Sequence, residues 1–275
     1  MSLLVNTNQS SLSSQRLLNQ ATSGLSSSSE KLASGFKINR AADDAAGLVI
    51  SNRLTTQIGG LEQAARNAGD AISLIQVADS ALDEVTGALQ KMRVLTIQSA
   101  NGINNADDIE ALQKEFSALR ESIQAISANT EFGGLKVLDG SAGNRNFLVG
   151  ANAGQTITVN LNHSFSTADT GLDIDSINFA DDEPHTVIAA LDSAIMLTDN
   201  VRTALGAQQN ILGSTLRTIS NIGENVSVSR SQLRDTDYAK ETAELTRTQI
   251  LQQSSTTVLA QANQRPQAAL SVLAG

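Results

Sequence analysis

Residues 54–76 read LTTQIGGLEQAARNAGDAISLIQ, and the spacing of their apolar side chains decides the fold. Leu54, Ile58, Leu61, Ala65, Ala68, Ile72 and Ile75 recur at steps of three and four. That is the seam of a helix packed lengthwise against other helices. The stretch lies in a proline-free run from about Asp44 to Ala100. At ~1.5 Å per residue such a helix would be roughly 80 Å long, too long for the interior of a compact globule, so it needs partner helices along its length.

The same signal continues on both sides. Toward the N-terminus, Leu18, Leu25 and Leu32 recur at seven. Toward the C-terminus, Asn101-Gly102 is a stop, because both residues tolerate the left-handed conformation. Asp107 with Glu110 three residues later resembles a capping box that opens the next helix. Its seam is Ile109, Leu112, Phe116, Leu119, Ile123 and Ile126. Pro184 suits the first turn of another long helix, where its missing N–H costs little. That seam runs Val187, Leu191, Ala194, Thr198, Val201, Leu205, Gln208, Leu212, Thr215, Ile219, Ile222, Val226 and Leu233, with Thr198, Gln208 and Thr215 as polar interruptions. From Lys240 a last helix shows Leu251, Val258, Ala262, Ala269 and Leu273 at spacings of seven and four.

Between Thr130 and Asp181 the texture changes. Gly133-Gly134, Asp139-Gly140 and Gly143-Asn144 are turn signals. Phe147-Leu148-Val149 reads as a short strand. Ile157, Val159 and Leu161 alternate with Thr156, Thr158 and Asn160, a half-buried strand. An exposed Ser/Thr/Asp loop is expected after His163. The predicted fold is mainly α: long antiparallel helices packed as a coiled-coil bundle, a small β-hairpin region, and N- and C-terminal helices paired. Each end alone is a single amphipathic stripe, marginal in a free monomer and ordered when copies bury it.

Composition agrees with helix-on-helix packing. Apolar residues make up 40% of the 275 residues but aromatics only 3%, so the packing mass is Leu, Ile, Val and Ala. The net charge of -9 argues against nucleic acid. Residues 1–40 carry +3 and residues 236–275 carry 0, which leaves -12 for the middle. Near-neutral ends suit packing, and an acidic middle suits solvent. With no cysteine there are no disulfides, thiolate metal sites or cysteine nucleophiles. No run approaches a transmembrane helix, and the start of the chain lacks the basic and apolar blocks of a cleaved signal.

No constellation carries catalysis. His163 and His185 are the only histidines, without an H-E-x-x-H arrangement, and read as surface residues. Asp181-Asp182-Glu183 and Asp107-Asp108 read as acids favourable to a helix start. No catalytic, cofactor-binding or metal site is expected. Membrane-surface helices would carry Lys and Arg on their polar faces; these carry Ser, Gln and Asn, which favours partner helices.

The segment Leu32-Ala-Ser-Gly-Phe-Lys-Ile-Asn-Arg-Ala-Ala-Asp-Asp-Ala-Ala-Gly-Leu-Val-Ile-Ser-Asn-Arg-Leu54 closely resembles the N-terminal signature of bacterial flagellins, as does Val5-Asn-Thr-Asn8. Ile250-Leu-Gln-Gln-Ser-Ser-Thr-Thr-Val-Leu-Ala-Gln-Ala-Asn263 with Pro266-Gln-Ala-Ala-Leu270 resembles the C-terminal signature. The resemblance covers about residues 1–130 and 185–275. It implies a structural subunit that polymerises into the flagellar filament; a hook–filament junction protein is the alternative. It implies type III export without a cleaved signal, an extracellular location, assembly beneath a cap, and as partners further copies of the chain, cap and hook-associated proteins and an export chaperone at the C-terminal region. It implies an inner terminal coiled-coil domain of residues 1–42 plus 236–275. A long-helix domain of 43–130 plus 183–235 would follow, with a hairpin and exposed variable region at 131–182.

The expected assembly seam is Leu18, Leu25, Leu32, Leu251, Val258, Ala262 and Leu273. Asp43-Asp44 would cap the long helix. Residues 89–101 resemble the region by which Toll-like receptor 5 detects some flagellins. Carried over position by position, the candidate contacts are Lys91, Leu95, Gln98 and Glu115. Lys91 stands for an arginine and loses its forked hydrogen bonding; Val94 stands for a glutamate. Arg265 stands where relatives often place an apolar residue. Because related flagellins are often O-glycosylated in the middle, Ser141, Ser164, Ser166, Thr167, Thr170 and Ser176 are candidate acceptors.

Overall fold

The computed structural model describes residues 7–168 and 171–273, with side chains in the last helix described to Gln264. Thr170 lies outside the described residues, as do the side chains of Arg265, Ala269 and Leu273. The elements are α1 (Gln9–Ser34), α2 (Ala45–Ser99), α3 (Ala106–Asn129), β1 (Glu131–Phe132), β2 (Leu135–Lys136), β3 (Gly143–Leu148), β4 (Thr156–Leu161), α4 (Pro184–Arg234) and α5 (Tyr238–Leu273). The chain is mainly α, with two antiparallel strand pairs. It divides into two compact units, residues 1–56 with 225–275, and residues 57–224.

The second unit holds the main core. Along α2 one row of buried positions runs Leu61, Ala64, Ala68, Ala71, Ile75, Ala78, Leu82, Val85, Leu89, Met92 and Thr96, with Leu74, Thr86 and Leu95 buried beside it. The steps of the row alternate three and four without interruption, so the period expected from sequence holds. Leu61, Ala68 and Ile75 lie on the row as expected, but between them Ala64 and Ala71 face the core, while Ala65 and Ile72 are only half-buried beside it. Small alanines let neighbouring helices approach, and the Leu and Ile between them fill the gaps. Leu112, Phe116 and Ile123 of α3 join this core. From α4 come Val187, Leu191, Ala194, Thr198, Val201, Leu205, Leu212 and Ile219. The polar Thr86, Thr96 and Thr198 cause no loss, because each buried hydroxyl donates to the carbonyl four residues back at 2.9 Å.

The turn from α2 to α3 corrects two details. The capping box uses Asn105 and Asp108, not Asp107 and Glu110. Asn105 Oδ1 accepts from Asp108 N at 2.8 Å and Asp108 Oδ2 accepts from Asn105 N at 3.1 Å. Asp107 lies in the first turn instead, and Glu110 pairs with Lys114 at 2.8 Å. At the end of α2 the stop is made by a side chain, since Asn104 Nδ2 donates to Gln98 O at 2.7 Å and Ser99 O at 3.3 Å.

Two hairpins follow rather than one. Gly133 and Gly134 both have positive φ, 60° and 80°, which closes β1 on β2 with a two-residue turn that only glycine adopts freely. The second hairpin pairs Gly143 with Leu161 through Leu148 with Thr156. The alternation read on β4 is observed, with Val159 and Leu161 buried and Thr156, Thr158 and Asn160 exposed.

The segment after His163 is not an exposed loop. Phe165, Thr167, Leu172, Ile174 and Ile177 are buried. It lies as a strap along α3, fixed by side chains seven and four residues apart on one helix face. Gln113 Nε2 donates to Ile177 O at 3.2 Å and its Oε1 accepts from Phe179 N at 2.9 Å. Arg120 donates to Asp175 O. Gln124 Oε1 accepts from Thr167 N, Thr167 Oγ1 and Ser166 Oγ at 3.0–3.1 Å. Phe179 meets Phe116 edge-on, with centroids 4.8 Å apart.

Candidate functional site: the paired terminal helices

In the first unit α1 and α5 run antiparallel. Asn8 Nδ2 donates to Ala262 O at 2.7 Å, and Ser11 Oγ donates to Asn263 Oδ1 at 2.7 Å. Gly24 faces Thr248, and Gly35 faces the hydroxyl of Tyr238. The first residues of one helix therefore meet the last described residues of the other.

The residues buried between them are small, and half-buried leucines lie between these. On α1 the buried residues are Ser14, Ala21 and Ser28, spaced at seven, with Leu18, Leu25 and Leu32 half-buried between them. On α5, Glu241, Leu245, Thr248, Gln252, Ser255, Leu259 and Ala262 form a row of less exposed positions, again at steps of four and three, with Glu244 half-buried beside it. Leu251 and Val258, placed on the seam by sequence, stand off it with 49% and 48% of their surface exposed. Ala262 is buried at 5%. The reason is chemical: between Leu245 and Leu259 the seam is Thr248, Gln252 and Ser255, and a search for apolar residues slides off it there.

The aliphatic surface left outside the pair is considerable. Leu12, Leu17 and Ile250 are 53–61% exposed, alongside Leu251 and Val258. Leu12, Leu17 and Val258 also line a shallow hollow with Arg16, at the start of α1. Full burial of one such side chain contributes roughly 1.5–3 kcal/mol, so a face of several is worth covering. No helix among the described residues is long and apolar enough to cross a membrane.

A clasp closes the same unit where α1 and α4 end. Gly35 takes a left-handed φ of 73° and caps α1 through its N–H to Lys31 O. Thr236 N then donates to Gly35 O at 2.9 Å and Lys37 N to Arg234 O at 2.7 Å, pairing Phe36 with Asp235. The Arg234 guanidinium lies 4.1 Å from the Phe36 ring centroid. Arg40 grips Glu30 with two N–H groups. Asp43 accepts from Asn39 N and Arg40 N, and those backbone donors, Arg40 first, hold its carboxyl below the usual range. Asp44 Oδ1 accepts from Gly47 N at 2.9 Å, which caps the start of α2.

The other sequence-predicted residues lie in the second unit. Lys91, Gln98 and Glu115 are exposed, whereas Leu95 is only 7% exposed and belongs to the core. Beside them Arg93 is spoken for by Asp192 at 2.7 Å, and Asp192 raises its pKa. Arg202 bridges Asp79 and Asp83, both at 2.9 Å. Of the candidate hydroxyls, Ser141 and Ser176 are exposed, Ser164 and Ser166 half-buried, and Thr167 is buried against Gln124. Ser141 Oγ donates to Asp139 Oδ1 at 2.6 Å. His163 and His185 are both exposed. Sequence reasoning missed Ser14, Ser28 and Thr248 and the Phe36–Arg234 clasp; a seven-residue repeat of small polar residues was the available signal for the first three.

The terminal halves match described families. "Bacterial flagellin N-terminal helical region" matches residues 5–143 and "Bacterial flagellin C-terminal helical region" matches residues 188–273. The chain is similar to Flagellin B of Vibrio anguillarum, 36% identical over 99% of this chain and 100% of that one. That alignment runs over 375 positions against 275 residues here, so the Vibrio protein carries the extra length. A flagellin of Halalkalibacterium halodurans is 45% identical over 89% and 90% of the two chains. The crystal structure of Bacillus cereus flagellin aligns with a TM-score of 0.50 at 32% identity, covering 56% of this chain and 88% of that one. A putative flagellar hook-associated protein from Vibrio parahaemolyticus aligns at 0.58 but with 17% identity, a likeness of fold alone. With both terminal regions matched in order and relatives covered end to end, the chain belongs to the bacterial flagellin family.

Proposed function

We propose that this filament subunit assembles by burying the face that its paired ends leave open. The observation that carries the reading is the antiparallel α1–α5 pair, whose own seam mixes Ser, Thr and Gln with half-buried leucines while Leu12, Leu17, Ile250, Leu251 and Val258 face outward. A pair with so little apolar burial between its helices is marginal in isolation. Further copies of the chain supply the missing burial. In the filament we assign residues 1–42 with 236–275 to an inner coiled-coil layer. Residues 43–130 with 183–235 form a surrounding long-helix layer, and 131–182 the outward region. Of the expected seam, Leu251 and Val258 are open to further copies, Leu18, Leu25, Leu32 and Ala262 support the pair from within, and Leu273 is assigned to the seam by sequence.

The remaining elements of the reading follow from family membership. The chain works without catalysis and leaves the cell by the type III route without a cleaved signal. It meets cap and hook-associated proteins and an export chaperone at its C-terminal region. Exposed Lys91, Gln98 and Glu115 are the accessible candidate contacts for Toll-like receptor 5, with Leu95 as their packing support. Ser141 and Ser176 are the open candidates for O-glycosylation, and Ser164, Ser166 and Thr167 need the strap to lift first; Thr170 completes the set.

The test is removal of residues 241–275. The truncated chain keeps the second unit folded, stays soluble and forms no filament by electron microscopy. Normal filaments from the truncation would end the assembly mechanism.

A further inference from the structure

Three asparagines crowd the turn between α2 and α3, and two are committed to the fold. Asn104 caps the end of α2 and Asn105 caps the start of α3. Asn101 is different. It is exposed, and its side chain makes one long bond among the described residues, accepting from Ile103 N at 3.4 Å. Gly102 is exposed, and a methyl group built on it would meet nothing within 4 Å. Among the described residues its N–H donates to no backbone acceptor.

A free backbone N–H, on a residue with no Cβ to shield it, directly after an unanchored asparagine, is the arrangement for attack on the side-chain amide. We propose that Asn101-Gly102 is a spontaneous deamidation site of the folded protein. Base removes the Gly102 N–H proton, and the nitrogen lone pair attacks Asn101 Cγ. The new N–C bond forms, the Cγ–Nδ2 bond breaks, and the amide nitrogen takes up the proton and leaves as ammonia. Water then opens the five-membered imide at either carbonyl, giving aspartate or isoaspartate. One water enters, one ammonia leaves, and nothing is oxidised or reduced.

The chain contains its own control. Asp139-Gly140 could close to the same kind of imide, with loss of water in place of ammonia. There the carboxylate accepts from Ser141 N at 2.9 Å and Ser141 Oγ at 2.6 Å, and Gly140 is held at φ 79° with the Ser164 backbone close by. The fold locks one site and leaves the other open. Reaction at Asn101 puts a negative charge just past the carbonyl end of α2, where the helix dipole disfavours it. The isoaspartate product also adds a methylene to the backbone between α2 and the Asn104 that caps it.

The experiment incubates the full-length soluble chain at mildly alkaline pH, folded and in urea, and maps peptides by mass spectrometry with isoaspartate quantification. The folded chain converts Asn101 ahead of its other asparagines, at a rate close to that in urea, while Asp139 isomerises only in urea. Gly102→Ala, which meets open space and leaves the circular dichroism unchanged, slows conversion at least about tenfold, ~1.4 kcal/mol in the barrier. An Asn101 that survives in the folded chain while converting in urea overturns the proposal, as does a Gly102→Ala chain that converts as fast. Neither outcome depends on the filament reading.

Discussion

The two units share one period and differ in what occupies it. In residues 57–224 the three-and-four seam of α2 is filled by Leu61, Ile75, Leu82, Leu89 and Met92 with alanines between. In the unit formed by both ends the fully buried seam residues are only Ser14, Ala21, Ser28, Thr248 and Ala262, with half-buried Leu, Gln and Ser between them. Periodicity says that a helix has a partner; the substance at the seam says whether the pair stands by itself. The first unit is built to be finished by other chains, with Leu12, Leu17, Ile250, Leu251 and Val258 turned outward. The second has a large apolar core of its own, although Val94, Met196 and Ile211 remain 52–63% exposed on its surface.

The largest effect that tests this contrast is a cavity. Phe116 is fully buried and stacked edge-on with Phe179. Phe116→Ala lowers the stability of the second unit by about 3–5 kcal/mol. Ser14→Ala, in the polar seam and bonded only to its own helix at Ser10 O, changes the first unit by about 0.5 kcal/mol or less. The two can be followed separately, because Tyr238, the single tyrosine, lies in the first unit. Tyrosine fluorescence reports the ends and far-ultraviolet circular dichroism reports the whole. A Ser14→Ala chain that loses as much as Phe116→Ala would mean the ends are a packed core of their own.

A middling effect probes what holds the strap. Gln124 Oε1 is the shared acceptor for Thr167 N, Thr167 Oγ1 and Ser166 Oγ. In Gln124→Ala these donors lose it, and a buried donor left unmade costs about 1–3 kcal/mol. Hydrogen exchange at Thr167 N then accelerates, while amides in the α2 core stay protected. Uniform acceleration across the second unit would show the strap to be part of the core's cooperativity instead of a layer on it.

These two regions also mark what was legible in the sequence. The helices, their order and the pairing of the ends could be read, because a three-and-four period survives any choice of residue at the seam. Its phase could not. On α2 the alanines Ala64 and Ala71 face inward while Ile72 is only half-buried, and apolarity alone ranks them the other way. On α5 the seam between Leu245 and Leu259 is polar, and apolarity there points to the exposed Leu251 and Val258 instead. The strap was read as a loop from its Ser, Thr and Asp content. Its alternation of Leu172 and Ile174 with Asp173 and Asp175 was the signal for burial. The residues that anchor it, Gln113, Arg120 and Gln124, are ordinary surface residues until the tertiary fold brings the segment to them. The capping box slipped by two because Asn105 and Asp107 are both good caps, and only backbone geometry chooses between them.

The smallest effect is a pH dependence in which the two units behave alike. Asp139 has its carboxyl held below the usual range, first by the Ser141 hydroxyl, with burial opposing and backbone donors assisting. Asp43 is held down by the Arg40 and Asn39 amides. Both folded-state values lie below the unfolded value of about 4. Each carboxylate therefore adds stability that is fully present above about pH 4 and lost as pH falls through the lowered value. Asp139→Asn keeps the side-chain shape but cannot ionise. At neutral pH the variant unfolds at lower urea than the parent. Below the lowered value the two midpoints converge, because the parent has also lost its charge. A difference that persists undiminished into strong acid would show that Asp139 acts through geometry and not through its charge.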